Sequence, residues 1–159
     1  MALAARVRRR LRPGLPALAD IWHVGATAVP DCLTKGDLDL VVRVDASDFA
    51  GAETYLAGLF RRNDASVHTR EFAAFTDEAC VPPLGIQLTV RGGPFDVFHQ
   101  FAAILRANPS LVARYNALKT RFDGRPMDAY RIAKVAFIEE VLKDAACLGA
   151  SGSEYLDDS

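Results

Sequence analysis

The chain has 159 residues, half of them apolar and a quarter charged, with a formal net charge of −1 at pH 7; this suits one domain with a real core and excludes an overall basic field that recruits nucleic acid. Cys32, Cys80 and Cys147 form no C-x-x-C and no metal-like spacing, which argues against a disulfide framework and for a reduced, cytoplasmic setting. No stretch reaches the roughly 20 apolar residues of a membrane span, and no apolar run follows the N-terminal arginines as it would in a secretory signal.

Residues 3–12 (LAARVRRRLR) predict a helix with a charged, solvated face, stopped by Pro13-Gly14. A strand is expected over 19–24, then a loop over 25–36. Over 37–44, Leu38, Leu40, Val42 and Val44 alternate with Asp37, Asp39, Val41 and Arg43, the period-2 pattern of a strand with one dry and one wet face. Phe49, Ala52, Leu56, Leu59 and Phe60 recur at helical spacing over 48–61, with Ser47 placed to cap the start. Strands over 66–76 and 85–91 are spaced for antiparallel pairing.

Helices follow from Pro94 onward. Val97, Phe98, Phe101, Ile104 and Leu105 make one stripe, Pro109 opens the next helix, and a last helix over 128–144 carries Tyr130, Phe137, Ile138, Val141 and Leu142. Strands and helix first, helices last, is an α+β order. The expected division is an N-terminal arm over 1–18, one domain over 19–147 and a flexible acidic tail over 148–159.

The segment GDLDLVV from Gly36 carries the chemistry. Carboxylates two apart on a strand point the same way, with Cα atoms roughly 6.5–7 Å apart, and such a pair converges on Mg²⁺ or brackets a pair of ions. The same pattern also serves as the polar face of an ordinary strand. Gly25 follows an apolar strand and lets the backbone approach a ligand closely. The N–H groups of Ala26 and Thr27, with the Thr27 hydroxyl, suit phosphate oxygens; a tight turn with a satisfied threonine is the alternative. Arg43, on the face of the aspartates, fits an ion pair with one of them or a substrate contact. Lys35 fits a phosphate contact or a solvated surface, Trp22 the core, and the Tyr115–Lys119 pair either an anion contact or a snorkelling lysine.

A strand, a glycine turn, about a dozen residues and D-h-D on a second strand resembles the signature of the nucleotidyltransferase superfamily. Within it, HVGATAVPDCLTK resembles the GrpB family, whose members typically read H-I/V-G-S-T-A/S-V-P-G-L-x-x-K. His23, Gly25, Thr27, Val29, Pro30 and Lys35 match, and Ala26 stands where the family has serine. Asp39 falls on the family's aspartate and Asp37 completes the superfamily pair. FAAILRANPSLVARYNALKTRF and MDAYRIAKVAFIEEVL resemble the later helical blocks, so the likeness covers residues 20–143. The family's H-L-H reads Gln87-Leu88-Thr89 here, where active superfamily members often place a third carboxylate; Glu71 and Asp96 are the acids left to supply one.

The resemblance implies a minimal nucleotidyltransferase fold, a small mixed β-sheet with helices packed on it and a C-terminal helical segment. It implies Mg²⁺-dependent transfer from a nucleoside triphosphate to an unidentified acceptor. Asp37 and Asp39 are then the catalytic metal ligands. Gly25, Ala26, Thr27, Lys35, Tyr130 and Lys134 contact the nucleotide. A non-catalytic nucleotide-binding or regulatory module, lacking the third carboxylate, stays open beside it.

Overall fold

A first helix, α1 (Ala2–Leu11), ends where Pro13-Gly14 cannot continue it. Five strands follow: β1 (Asp20–Val24), β2 (Leu38–Val44), β3 (Arg61–Arg62), β4 (Phe72–Asp77) and β5 (Leu84–Val90). Helix α2 (Phe49–Leu59) joins β2 to β3, and α3 (Phe98–Ala107), α4 (Pro109–Arg121) and α5 (Met127–Ser151) close the chain. The computed structural model describes residues 2–151, with side-chain surroundings through residue 148. Most of the expected acidic tail lies outside the described residues. The chain forms two compact units, Met1–Pro30 with Thr34–His99, and Asp31–Leu33 with Gln100–Ser159.

In the first unit the strands form one sheet in the order β1-β2-β5-β4-β3. β2 and β5 run parallel while the other neighbours are antiparallel, including the expected β4–β5 pair. The α+β class and the mixed sheet therefore stand as the sequence implied. Leu40, Val42 and Val44 of β2, Ile86 and Leu88 of β5 and Phe75 of β4 share one buried cluster with Leu11 of α1 and Phe49 and Leu56 of α2. Each such side chain contributes about 1.5–3 kcal/mol on leaving water.

The other face carries Asp39, Val41 and Arg43 with their direct partners Gly85, Gln87 and Thr89 on β5. It is not the wet face that the alternation predicts, because Val41 and Thr89 are 0% exposed and Phe72 4%. A central strand with a parallel neighbour is commonly buried on both sides. Trp22, expected in the core, is instead 45% exposed, because β1 is an edge strand of the sheet. The strand expected from residue 66 starts at Phe72, after a turn in which the Thr69 N–H donates to the Phe72 carbonyl. The last helix runs to Ser151, well past the expected end at 144.

The second unit has its own core of rings. Tyr115 of α4 stacks on Phe137 of α5 with centroids 5.5 Å apart, and Phe101 of α3 meets both edge-on. Such pairs add about 0.5–1.5 kcal/mol beyond area burial. No helix among the described residues is long and apolar enough to cross a membrane.

Candidate functional site

Asp39 stands near the start of β2, directly opposite Val24 of β1 on one side and Gly85 of β5 on the other. The chain leaves β1 through Gly25, at φ +72°, a conformation that residues with a Cβ avoid. A Cβ on Gly25 would lie 2.6 Å from Asp39 Oδ2, and one on Gly85 would lie 2.5 Å from Asp39 Oδ1. Both carboxylate oxygens thus occupy space that two missing side chains leave open. The group is half-buried and walled in by backbone, which fixes where its negative charge sits.

After Gly25, residues Ala26–Ala28 form a single tight turn, closed by Ala28 N–H to the Gly25 carbonyl at 3.1 Å and Val29 N–H to the Ala26 carbonyl at 3.2 Å. The first N–H groups of such a turn, here those of Ala26 and Thr27, have no acceptor within it. The Thr27 hydroxyl lies 2.9 Å from His23 Nε2 and donates to the Asp37 carbonyl at 3.0 Å. With its one proton so placed, it accepts from His23, which assigns that ring the Nε2–H tautomer. Thr27 therefore ties the turn to the head of β2, and its N–H rather than its hydroxyl is the group left for an anion.

Asp37 is exposed and precedes β2 instead of lying within it. The ladder begins one residue later, where Leu38 N–H meets the Pro83 carbonyl at 2.9 Å. Lys35 is exposed on the preceding loop. Gly25, Ala26, Thr27, Lys35, Asp37 and Asp39 thus all belong to the first unit, whereas Tyr130 and Lys134 are half-buried positions of α5 in the second. Gly85 escaped the sequence reading. Its signal was there: a glycine inside a strand pattern marks a bulge or a close approach.

The acids considered for a third carboxylate, Asp96 and Glu71, both lie toward the far end of β2. Asp96, 5% exposed, takes Arg43 Nε at 2.6 Å on one oxygen and Arg43 Nη2 at 2.7 Å on the other, and accepts the Gly92 N–H at 2.8 Å. Arg43 also reaches Asp20 at 3.3 Å. Among the described residues its ion pairs are with Asp96 and Asp20, and not with Asp37 or Asp39 as the shared face suggested. Arg43 lies four residues along β2 from Asp39, about 13 Å at strand rise. Glu71 is at that same far end, its carbonyl bonded to Val90 N–H. Among the described residues no three His, Cys, Asp or Glu side chains converge as a metal cluster. Mg²⁺ commonly takes only one or two carboxylates and completes its shell with water and phosphate oxygens, so Asp37 and Asp39 suffice in number and type, and the slot sets one of them rigidly.

Burial alone would raise the Asp96 carboxyl, but the Arg43 hydrogen bonds, the Gly92 N–H and the charges of Arg43 and His99 hold it below the usual carboxylate value. Burial lowers His99, and Arg43 adds to this against the opposite pull of Asp96 and Asp20. A base depressed by folding contributes stability that is present above its unfolded value and lost as pH falls through the folded one. Urea stability should therefore decline as pH drops below about 6.5, and His99→Gln should flatten that part of the profile.

Comparison with known proteins places the chain in a family. The profile described as GrpB protein matches residues 1–144. The UPF0157 protein VC_A0354 of Vibrio cholerae serotype O1 is 35% identical over 128 residues, covering 80% of this chain and 68% of that protein. The crystal structure of the conserved protein GrpB from Enterococcus faecalis superposes with a TM-score of 0.68 at 17% identity, over 91% of this chain and 90% of that one. Cid1 poly(U) polymerase, solved with Mg 3'-dATP bound, aligns at a TM-score of 0.49 and 15% identity over 74% of this chain and 37% of its own. By the extent of the profile match and the likeness to the Vibrio protein, the chain belongs to the GrpB family.

Proposed function

We propose that this GrpB family member binds a nucleoside triphosphate with Mg²⁺ and transfers its nucleotidyl group to an acceptor. The observation that carries the reading is the Asp39 carboxylate seated between Gly25 and Gly85, next to a turn whose first two N–H groups have no acceptor within it. Asp39 and Asp37 would hold the ion, which when bound neutralises the triphosphate. The N–H groups of Ala26 and Thr27 hold phosphate oxygens, and Lys35 adds a cation on the loop. Catalysis is then positioning and charge stabilisation by groups already in place.

One observation favours a second reading, a nucleotide-binding module without turnover. Gln87, next along β5 on the Asp39 face, is an amide where a third acid would serve, and Asp96 is clamped by Arg43. Titration with ATP, CTP, GTP and UTP in turn, with and without Mg²⁺, separates the two. Transfer predicts metal-dependent binding lost in Asp39→Asn, followed by pyrophosphate release once an acceptor is supplied. Binding that needs no metal and survives Asp39→Asn supports the module, and absence of binding to all four overturns both.

A further inference from the structure

Helix α4 of the second unit grips the segment Asp31–Leu33 through side chains. Asn116 accepts the Leu33 N–H at 2.8 Å and donates to the Asp31 carbonyl at 2.8 Å. One turn along, Lys119 donates to the Leu33 carbonyl at 2.6 Å, lies 4.2 Å from the centre of the Tyr115 ring, and holds its Nζ 3.4 Å from Cys32 Sγ. A carbonyl, an aromatic face and a thiol are partners without formal charge. They keep a primary amine beside a thiol from which it is 87 positions distant in the chain. Cys32 is only 9% exposed, so the amine is its immediate chemical neighbour.

We propose that Cys32 and Lys119 form a reversible covalent cross-link on exposure to hydrogen peroxide, independently of the activity proposed above. Peroxide first converts the Cys32 thiol to a sulfenic acid: the S–O bond forms, the O–O bond breaks, and the departing hydroxide takes the thiol proton as one water. The free amine of Lys119 then attacks the sulfur. The N–S bond forms as hydroxide departs and takes the amine proton as a second water. Thiol, amine and one peroxide thus give a sulfenamide and two waters, with sulfur oxidised by two electrons and peroxide reduced. An added dithiol reverses it: one thiol attacks sulfur and frees the amine, and the second resolves the mixed disulfide, releasing the Cys32 thiol as the dithiol is oxidised. Cys80 is a poorer target, because its hydrogen bond to Asp77, with burial, pushes its thiol up and keeps it protonated.

The test uses the full chain carrying Cys80→Ser and Cys147→Ser, in which no intramolecular disulfide can form. Peroxide treatment should lower the intact monomer mass by two hydrogen atoms. Digestion should then yield a peptide joining Cys32 to Lys119, and dithiothreitol should restore the original mass. Lys119→Arg, which keeps the positive charge on α4, should lose the product. The linked peptide in protein with native Lys119 is decisive even if that variant folds poorly. Oxygen addition to Cys32 without linkage, an unchanged mass, or the same mass loss in folded Lys119→Arg protein would each overturn the proposal.

Discussion

Gly85→Ala should abolish Mg²⁺-dependent nucleotide binding while the fold survives. Gly85 is not among the glycines with positive φ, so alanine meets no backbone strain there. In a strand that exchange ordinarily stabilises by about 0.5–1 kcal/mol. Here the new methyl would lie 2.5 Å from Asp39 Oδ1, and the short aspartate side chain must swing away. The expected result is stability within about 1 kcal/mol of the parent, with affinity for Mg²⁺ and nucleotide at least ~100-fold weaker, roughly 2.7 kcal/mol. Calorimetric titration beside urea denaturation reads both. With Asp39→Ala already present the clash is gone, and Gly85→Ala should regain its ordinary stabilising sign. Additive effects of the two substitutions would show that the slot does not act as one unit. Gly25→Ala should cost more in stability, since φ +72° with ψ −173° is a region other residues avoid, and its strain of about 1–3 kcal/mol adds to a similar clash.

The second large effect lies at the far end of β2. Asp96→Ala should destabilise the protein by about 3–5 kcal/mol, because it leaves a largely buried guanidinium with only the longer, more exposed Asp20 contact. The Arg43 and Asp96 side chains are 15% and 3% exposed, and their contact is two-pronged. Asp96→Asn should be nearly as damaging, since an amide keeps the shape and loses the charge. Arg43→Met combined with Asp96→Leu should recover much of the loss, as an apolar pair needs no desolvation. The acid limb gives an independent check. Asp96 is held below its ordinary value in the folded state, so its contribution is complete above about pH 4 and disappears as pH falls through the lower folded value. The parent should therefore lose urea stability more steeply below that point than the double variant.

How much of this was written in the residues divides along one physical line. The alternation over Leu38–Val44, the glycine after β1 and the helical stripes are local patterns, and all three mark real elements. What depends on partners distant in sequence was hidden. Asp39 meets Gly85 only because β2 and β5 align in parallel, and Arg43 finds Asp96 across 53 positions rather than its neighbours on the strand. The buried second face has the same origin: Val41 sits among aspartates and an arginine, and no periodicity reveals that this side is covered. β3, two residues long, exists through its pairing with β4 and the Arg62–Glu53 ion pair to α2.

The grip of α4 on Asp31–Leu33 also bears on how the polypeptide can be dissected. Those residues are counted with the second unit while their chain neighbours on both sides are counted with the first. A C-terminal fragment started at Gln100 would be missing three of its own residues, and Asn116 and Lys119 would lose the carbonyls they hold. The two units are therefore not beads that a single cut can separate, and a split-protein or truncation design must carry the 31–33 strip across to the helices.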